Sequence, residues 1–312
     1  MILDKPNTKR RRIAAVGMYD GVHLGHRFLI DYLTLESRSR GMTAAVVTFR
    51  NHPMSVVNPE SSPTLLMHPD EKMRRLEQAG IDDVIVLGFD DKMRHLSAHN
   101  FLNMLHKRWG IEALVVGFNN RFGHDRVDGI EQYRQIGAEI GIEILEAPEY
   151  KGISSPVSSS IIRQYIAQGE INKANEALGR PCSIEGTVIP GQRLGRTLGF
   201  PTANIDPQTA VGCVPAPGVY AAMTTTPDNV RRPTILNIGH RPTVESDPDN
   251  APLSIEAHIL DYSGYLYGEK LKVEFISKIR DERKFDSLDK LRKAITADTR
   301  KARSILQPDN EK

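Results

Sequence analysis

Between residues 17 and 30 the chain reads GMYDGVHLGHRFLI, which places Gly17, Asp20, Gly21, His23, Gly25 and His26 within ten positions, directly after the apolar run Ile13 to Val16. A glycine-rich turn leading from a strand into a helix presents backbone N–H groups to an anion, and the helix N-terminus adds partial positive charge. Phosphate is the natural guest. Two imidazoles three residues apart can converge on it, where, protonated or as hydrogen-bond donors, they stabilise negative charge growing on a phosphoryl group. A second segment, VSSSIIRQYI from Val157 to Ile166, suits the same guest. Ser158, Ser159 and Ser160 can cap a helix while donating to phosphate oxygens, and Arg163 can neutralise a polyphosphate by a forked contact.

Two further stretches lie in the second half. GTVIPGQRLGRTLGFPTANI, Gly186 to Ile205, spaces Gly186, Gly191, Gly195 and Gly199 around Arg193 and Arg196. Glycines permit close approach to phosphates and the arginines could line that approach. No Gly-Lys-Ser/Thr follows, so this is not a Walker loop. In SIEAHIL, Ser254 to Leu260, strand periodicity sends Glu256 and His258 to the face opposite Ile255, Ala257 and Ile259. On pattern alone Glu256 is a solvated strand residue or a base, in even balance.

These groups need a scaffold. Strands are expected at Ile13 to Val16, Thr43 to Phe49, Val84 to Leu87, Ala113 to Val116 and Glu143 to Leu145, while Phe101, Leu102, Leu105 and Trp109 recur at helical spacing. Alternation of this kind predicts βαβ repeats and a parallel, doubly wound sheet, an α/β fold. Near Arg180 and Pro181 the texture changes. Short β-rich runs follow at Ser183 to Ile189, Gly218 to Met223, Pro233 to Ile238, Ile255 to Leu260 and Leu271 to Ile279, which predicts a small antiparallel barrel. A last helix is expected over Ser287 to Leu306, with Leu288, Leu291, Ile295 and Ile305 toward the barrel and Asp286 or Ser287 as its cap. The loop Val244 to Pro252, rich in Asp, Asn and Pro, is expected to be mobile.

Bulk properties narrow the field. A chain of 312 residues has room for two domains, and 39% hydrophobic with 26% charged residues is the balance of a soluble globular protein. A net charge of +2 gives no large field for nucleic acid, so no nucleic-acid partner is expected. Cys182 and Cys213 are too few for a disulfide framework and lack metal-ligand spacing, which suits a reducing cytoplasm. The basic run Lys9 to Arg12 precedes an apolar segment too short for a leader, and no apolar run approaches the ~20 residues that span a bilayer. No membrane partner is expected, and the oligomeric state stays open.

The motifs also carry a resemblance. Residues 17 to 26 match the HxGH signature of the nucleotidylyltransferase superfamily and closely resemble the longer GxFDGxHxGH of bacterial FMN adenylyltransferase domains, with Tyr19 for the usual Phe. TFRNHP, Thr48 to Pro53, resembles that family's TFxPHP, with Asn51 where Pro is common. GFNNRFGHDRVDG, Gly117 to Gly129, is similar to the family's segment beside flavin and nucleotide, where an acidic or otherwise polar residue is usual near Asn119. VSSSIIRQYI resembles the SSTxxR signature, in which hydroxyls and an arginine hold ATP phosphates. The Gly186 to Ile205 segment closely resembles the riboflavin kinase signature, with its PTAN motif at Pro201, Thr202, Ala203 and Asn204; GVYAA, NIGHRPT and RDERKFDSLDKL agree with it further on.

From about Ile13 to Leu306, then, the chain resembles the bifunctional riboflavin kinase/FMN adenylyltransferases, the prokaryotic FAD synthetases. The resemblance implies a Rossmann-like nucleotidylyltransferase domain over residues 1–180 and a six-stranded antiparallel β-barrel kinase domain with a terminal helix over 181–312. It implies ATP, riboflavin and FMN as substrates and Mg²⁺ as cofactor, held through Thr202 and Asn204, whose oxygens suit a hard cation. His23 and His26 become catalytic in adenylylation, with Gly17, Tyr19, Asp20, Gly25, Asn119, Ser158, Ser159, Ser160 and Arg163 around nucleotide and flavin. Gly191, Arg193, Gly195 and Arg196 line the kinase phosphate site. An FMN phosphate, with a second pKa of roughly 6, is largely dianionic and needs no base. A ribityl hydroxyl must lose a proton, and Glu256 stands where the family has its catalytic glutamate. His258 is read as a structural neighbour, and Phe118, Phe122 and Tyr220 as core residues or flavin-stacking aromatics. Two other readings are a chain with one active module and a flavin binder without turnover; a tRNA synthetase relative would need a basic surface that the charge balance lacks.

Overall fold

The apolar run before the two histidines is the centre of a parallel sheet. The structure, a computed structural model, describes residues 1–117, 122–125, 129–152, 156–191, 194–240 and 252–306. The chain forms two compact units: Met1–Thr64 with Pro69–Ser158, and Leu65–His68 with Ser159–Lys312.

In the first unit the elements run β1 (Ile2–Leu3), β2 (Arg12–Val16), α1 (Leu24–Ser39), β3 (Thr43–Phe49), α2 (Met54–Val57), α3 (Pro69–Gln78), β4 (Asp83–Leu87), α4 (Asp91–Arg94), α5 (Ala98–Trp109), β5 (Ile111–Val116), α6 (Ile130–Ile140) and β6 (Glu143–Glu146). The six strands lie in the order β1-β4-β3-β2-β5-β6, and every pairing is parallel. Helical crossovers cover a parallel sheet on both faces, so its strands read as unbroken apolar runs; every residue of β2 is buried. From β2 the chain builds outward through β3 and β4, then returns to β5 on the other side of β2. The carboxyl end of β2 is therefore a switch point, where an open α/β sheet forms its crevice. The expected helix is α5, with Phe101, Leu102, Leu105 and Trp109 all buried, a Ser97 cap, and Gly110 ending it in the left-handed conformation at φ 61°. Arg12, which the sequence groups with a basic run, is buried in β2; its Nε donates to Asp83 at 2.9 Å and its Nη1 to the Trp109 carbonyl at 2.7 Å.

The second unit opens with α7 (Ser159–Ala167) and α8 (Ile171–Leu178). There follow β7 (Cys182–Ile189), α9 (Leu194–Thr197), β8 (Ala203–Ile205), β9 (Gly218–Thr225), β10 (Arg231–His240), β11 (Leu253–Ile259), β12 (Lys270–Arg280) and α10 (Leu288–Leu306). Six strands close a barrel in the order β10-β11-β8-β7-β12-β9 with antiparallel pairings. Burial alternates residue by residue along β7, the period-two signature of a strand with one face inward. Asn175 ties α8 to the barrel: its Oδ1 accepts from the Cys182 N–H at 2.7 Å and its Nδ2 donates to the Phe275 carbonyl at 2.8 Å. Ser287 caps α10, its Oγ accepting from the Lys290 N–H at 3.3 Å. Ala302, Ile305 and Leu306 pack on Val219, Ala221, Ile235 and Ile279, while Leu288, expected inside, is exposed. Asp298 lies buried in the same stripe and receives a bidentate grip from Arg280, Nη2 to Oδ2 at 2.8 Å. Of the loop Val244 to Pro252 all but Pro252 lies outside the described residues.

Candidate active sites

The chain leaves β2 through Gly17, whose N–H donates to the Val47 carbonyl at 3.0 Å, and turns so that the Val22 N–H reaches the Tyr19 carbonyl at 3.1 Å. Tyr19 (φ 51°) and Val22 (φ 37°) occupy left-handed backbone with no glycine to excuse it. Such strain costs of order 1–3 kcal/mol per residue and persists only where surroundings over-determine it. His23 then caps α1: its Nδ1 accepts from the His26 N–H at 3.2 Å, which leaves Nε2 as the atom that carries the proton in the neutral ring. The rings of His23 and His26 stack at 3.6 Å between centroids and 14° between planes, and Tyr19 lies 5.0 Å from His26. Both imidazoles thus lie in one place. Asp20 and His23 are buried under the turn. Two glycines sit tightly against their neighbours: a Cβ on Gly17 would stand 3.0 Å from the Tyr19 ring, and one on Gly25 would stand 3.3 Å from the His23 ring and 3.7 Å from the Val157 carbonyl. Val157 therefore runs beside the start of α1, and Ser158 follows it. Ser159, Ser160 and Arg163 follow on α7 in the second unit.

Beside the turn opens a cleft of about 610 Å³ lined by Gly17, Met18, Phe49, Phe89, Phe101 and Phe122 among others. Phe122 is fixed there by Tyr133, whose hydroxyl accepts from its N–H at 3.1 Å. Phe118 and Asn119 lie outside the described residues. Tyr19 is fully buried, and its hydroxyl has no hydrogen-bond partner among the described residues; burial pushes its pKa well above the ordinary tyrosine range.

In the barrel, strand register assembles the other group. Glu256 on β11 faces Asn204 on β8 and Asn237 on β10, so three polar residues lie in a row across three strands. All three line a cavity of about 270 Å³ with Thr202, Phe200, Phe285, Leu291 and Ile295. Thr202 also lines a second cavity, of about 290 Å³, walled by Arg196, Tyr262, Tyr265 and Tyr267. Thr202 is thus common to both cavities. A Cβ on Gly191 would stand 2.5 Å from Asn204 Cγ, and one on Gly195 would run into the Phe200 carbonyl, so both glycines make room for this corner. His258 contacts the Pro201 carbonyl through Nδ1 at 2.8 Å and packs edge-on against Phe200, which is the structural part expected of it. Tyr220 is buried in the core against Phe275 and lines neither cavity. Arg193 lies outside the described residues. A carboxylate flanked by two asparagines beside a cavity with aromatic and aliphatic walls can deprotonate an alcohol, while the imidazoles at the start of α1 can steady an anion.

Comparison with known proteins divides the chain in two. Residues 5–161 match the family model described as FAD synthetase, and residues 178–306 the one described as riboflavin kinase. The chain belongs to the bifunctional riboflavin kinase/FMN adenylyltransferase family. Members from Escherichia coli K12 and Pseudomonas fluorescens are 35% and 36% identical, covering 94% and 95% of this chain and 92% and 93% of their own. The Bacillus subtilis member is 32% identical over 94% of this chain and 92% of its own. A solved structure from Streptococcus pneumoniae described as a macrolide-efflux protein is 27% identical, with a TM-score of 0.86 over 97% of this chain and 98% of that one. Among the described residues no helix is long and apolar enough to cross a membrane. The enzyme phosphorylates riboflavin to FMN and adenylylates FMN to FAD, with ATP as co-substrate in both steps.

Two residues near the first candidate site of this bifunctional enzyme escaped the sequence reading. Lys72 on α3 is 7% exposed, and its ammonium donates to the Met18 carbonyl and Thr48 Oγ1, both at 3.2 Å, and to the Phe49 carbonyl at 3.3 Å. Burial lowers its pKa, with the charge of Asp20 pulling the other way. Its spacing four before buried Leu76 was the available signal. Asn51, noted only as a departure from the family pattern, exchanges two hydrogen bonds with the Phe89 backbone, at 2.8 and 3.0 Å, and so fixes one wall of the cleft.

Proposed function

We propose that the two reactions use two chemically different sites, one built on His23 and His26 and the other on Glu256, Asn204 and Thr202. The adenylylating module is assigned to residues 1–180 and the kinase module to 181–312.

In adenylylation an FMN phosphate oxygen attacks the α-phosphorus of ATP; the new P–O bond forms as the bond to the β-phosphate oxygen breaks, and pyrophosphate leaves. The nucleophile arrives ionised, so the site needs donors rather than a base. The turn amides from Gly17 to Gly25 and the α1 N-terminus receive the triphosphate, and His23 through Nε2–H, with His26 beside it, stabilises charge as it grows. Tyr19 and Asp20 shape the turn. Ser158, Ser159, Ser160 and Arg163 supply hydroxyls and a guanidinium for ATP, and Asn119 is assigned to the flavin side.

In phosphorylation the ribityl hydroxyl attacks the γ-phosphorus, its proton passes to a Glu256 carboxylate oxygen, and ADP leaves with the electrons of the broken bond. The apolar cavity with Phe200 and Phe285 suits the flavin ring, and the tyrosine-walled cavity suits ATP. Gly191, Arg193, Gly195 and Arg196 border the phosphates. Thr202 and Asn204 fit Mg²⁺: both offer oxygens, and the missing Cβ atoms at Gly191 and Gly195 leave a cradle around them. When bound, Mg²⁺ neutralises phosphate charge. Two cysteines without a disulfide and dependence on ATP support a cytoplasmic setting for this work.

The observation that carries the proposal is the register that sets Glu256 against Asn204 at the cavity shared with Thr202. The test is a double dissociation, with flavins separated by chromatography. Glu256→Gln slows FMN formation by about 10²–10⁴-fold and leaves FAD formation from supplied FMN intact; His26→Ala abolishes FAD formation and leaves the kinase intact. Equal loss of both activities in either variant overturns it.

A further inference from the structure

Lys72 reaches under the turn from outside the motifs. We infer that Lys72 is a positioning residue for adenylylation, holding the Gly17–His26 turn in the shape that presents His23 and His26. The inference rests on the first site proposed above and adds a residue to it.

A lysine is almost never this deeply buried without a task for its charge. The three protons of the ammonium are matched to three acceptors: Met18 in the turn, and Thr48 and Phe49 at the end of β3. Thr48 Oγ1 also donates to the Met18 carbonyl at 3.2 Å, so the Met18–Tyr19 peptide is gripped twice. Immediately beyond this grip lie Tyr19 and Val22 in left-handed backbone. A turn in that conformation needs external constraint, and Lys72 supplies part of it from α3, alongside the direct bonds from Thr48 and Val47 on the neighbouring strand. The ammonium further puts a fixed positive charge, poorly screened, directly beneath a turn that receives a triphosphate. It touches neither substrate nor the reacting atoms; it acts through Met18 and the backbone that follows.

Because the histidines act on the transition state, their misplacement reads out in kcat more than in KM. In Lys72→Met, steady-state FAD formation from FMN and ATP is expected to lose about 10²-fold in kcat, with KM for FMN and for ATP within about threefold. Riboflavin phosphorylation by the same chain reports folding and stays near wild type, while the acceptors left at Met18 and Phe49 lower the thermal unfolding midpoint without abolishing folding at assay temperature. Lys72→Arg, which keeps charge and donors, restores kcat to within about tenfold. A Lys72→Met kcat within threefold of wild type overturns the inference, as does a rise in KM at unchanged kcat or a joint loss of both activities. Should Lys72→Met fail to accumulate folded, Lys72→Arg decides: kcat within tenfold supports the inference and a larger loss overturns it. His26→Ala separates the two levels, since full FAD formation there removes the site reading itself, whereas its loss alongside an active Lys72→Met removes only this inference.

Discussion

Gly191 offers a sharp test of the kinase corner because its backbone angles are open to any residue while the space beside it is not. An alanine there would bring its Cβ to 2.5 Å from Asn204 Cγ and 2.7 Å from Oδ1, against the 3.4–4 Å of ordinary contact. Asn204 must retreat by about 1 Å, and it can do so by rotating toward the cavity at a cost of about 1 kcal/mol in conformational strain. Stability therefore barely moves. Activity does, since a displacement of about 1 Å in a group that fixes phosphates removes roughly 10²-fold in rate, or about 2.7 kcal/mol of transition-state stabilisation. The assay is initial-rate FMN formation from riboflavin, ATP and Mg²⁺, run beside FAD formation from FMN on the same preparation. Gly191→Ala should lose only the first. Gly88→Ala, where a Cβ meets nothing within 4 Å, is the control and should change neither. Full kinase turnover in Gly191→Ala would refute the argument, because Asn204 would then have no position worth keeping.

Two more expectations follow. Tyr19→Phe removes a buried hydroxyl that has no partner among the described residues, so it should raise the unfolding free energy by about 1 kcal/mol in denaturant titration while FAD formation persists; a loss of stability would count against it. Burial pushes the Cys182 thiol up to about 12, so it stays protonated and unreactive even at pH 9, and a thiol reagent should label the native chain at half-buried Cys213 alone, with Cys182 following on unfolding; two native equivalents at pH 9 would contradict this.

Much of the architecture was legible because apolar periodicity survives in the sequence: five of the parallel strands and the barrel strands β7, β9, β10, β11 and β12 lie where the pattern put them. The two strands it missed are the shortest, Ile2–Leu3 and Ala203–Ile205. Two or three residues cannot display a period of two, and the second was read as the PTAN motif instead. The paired histidines were legible since three residues along a helix start is one short distance. Lys72 was not, because PDEKMRRLEQ reads as a charged, solvated helix, and its spacing four before Leu76 is too slight a signal to single out the cation that turns inward. The row from Asn204 through Glu256 to Asn237 depends on register between strands far apart in sequence, which no single segment encodes.

The amide of Asn51 has a bearing on how such enzymes are engineered. Restoring the family signatures that these segments resemble would put proline at position 51 and phenylalanine at position 19, treating both departures as drift. The two substitutions pull in opposite directions: the ring of a proline can replace neither of the bonds that the amide exchanges with Phe89, whereas phenylalanine sheds a hydroxyl that nothing described satisfies. Popularity at a site is no guide here; the local hydrogen-bond inventory is.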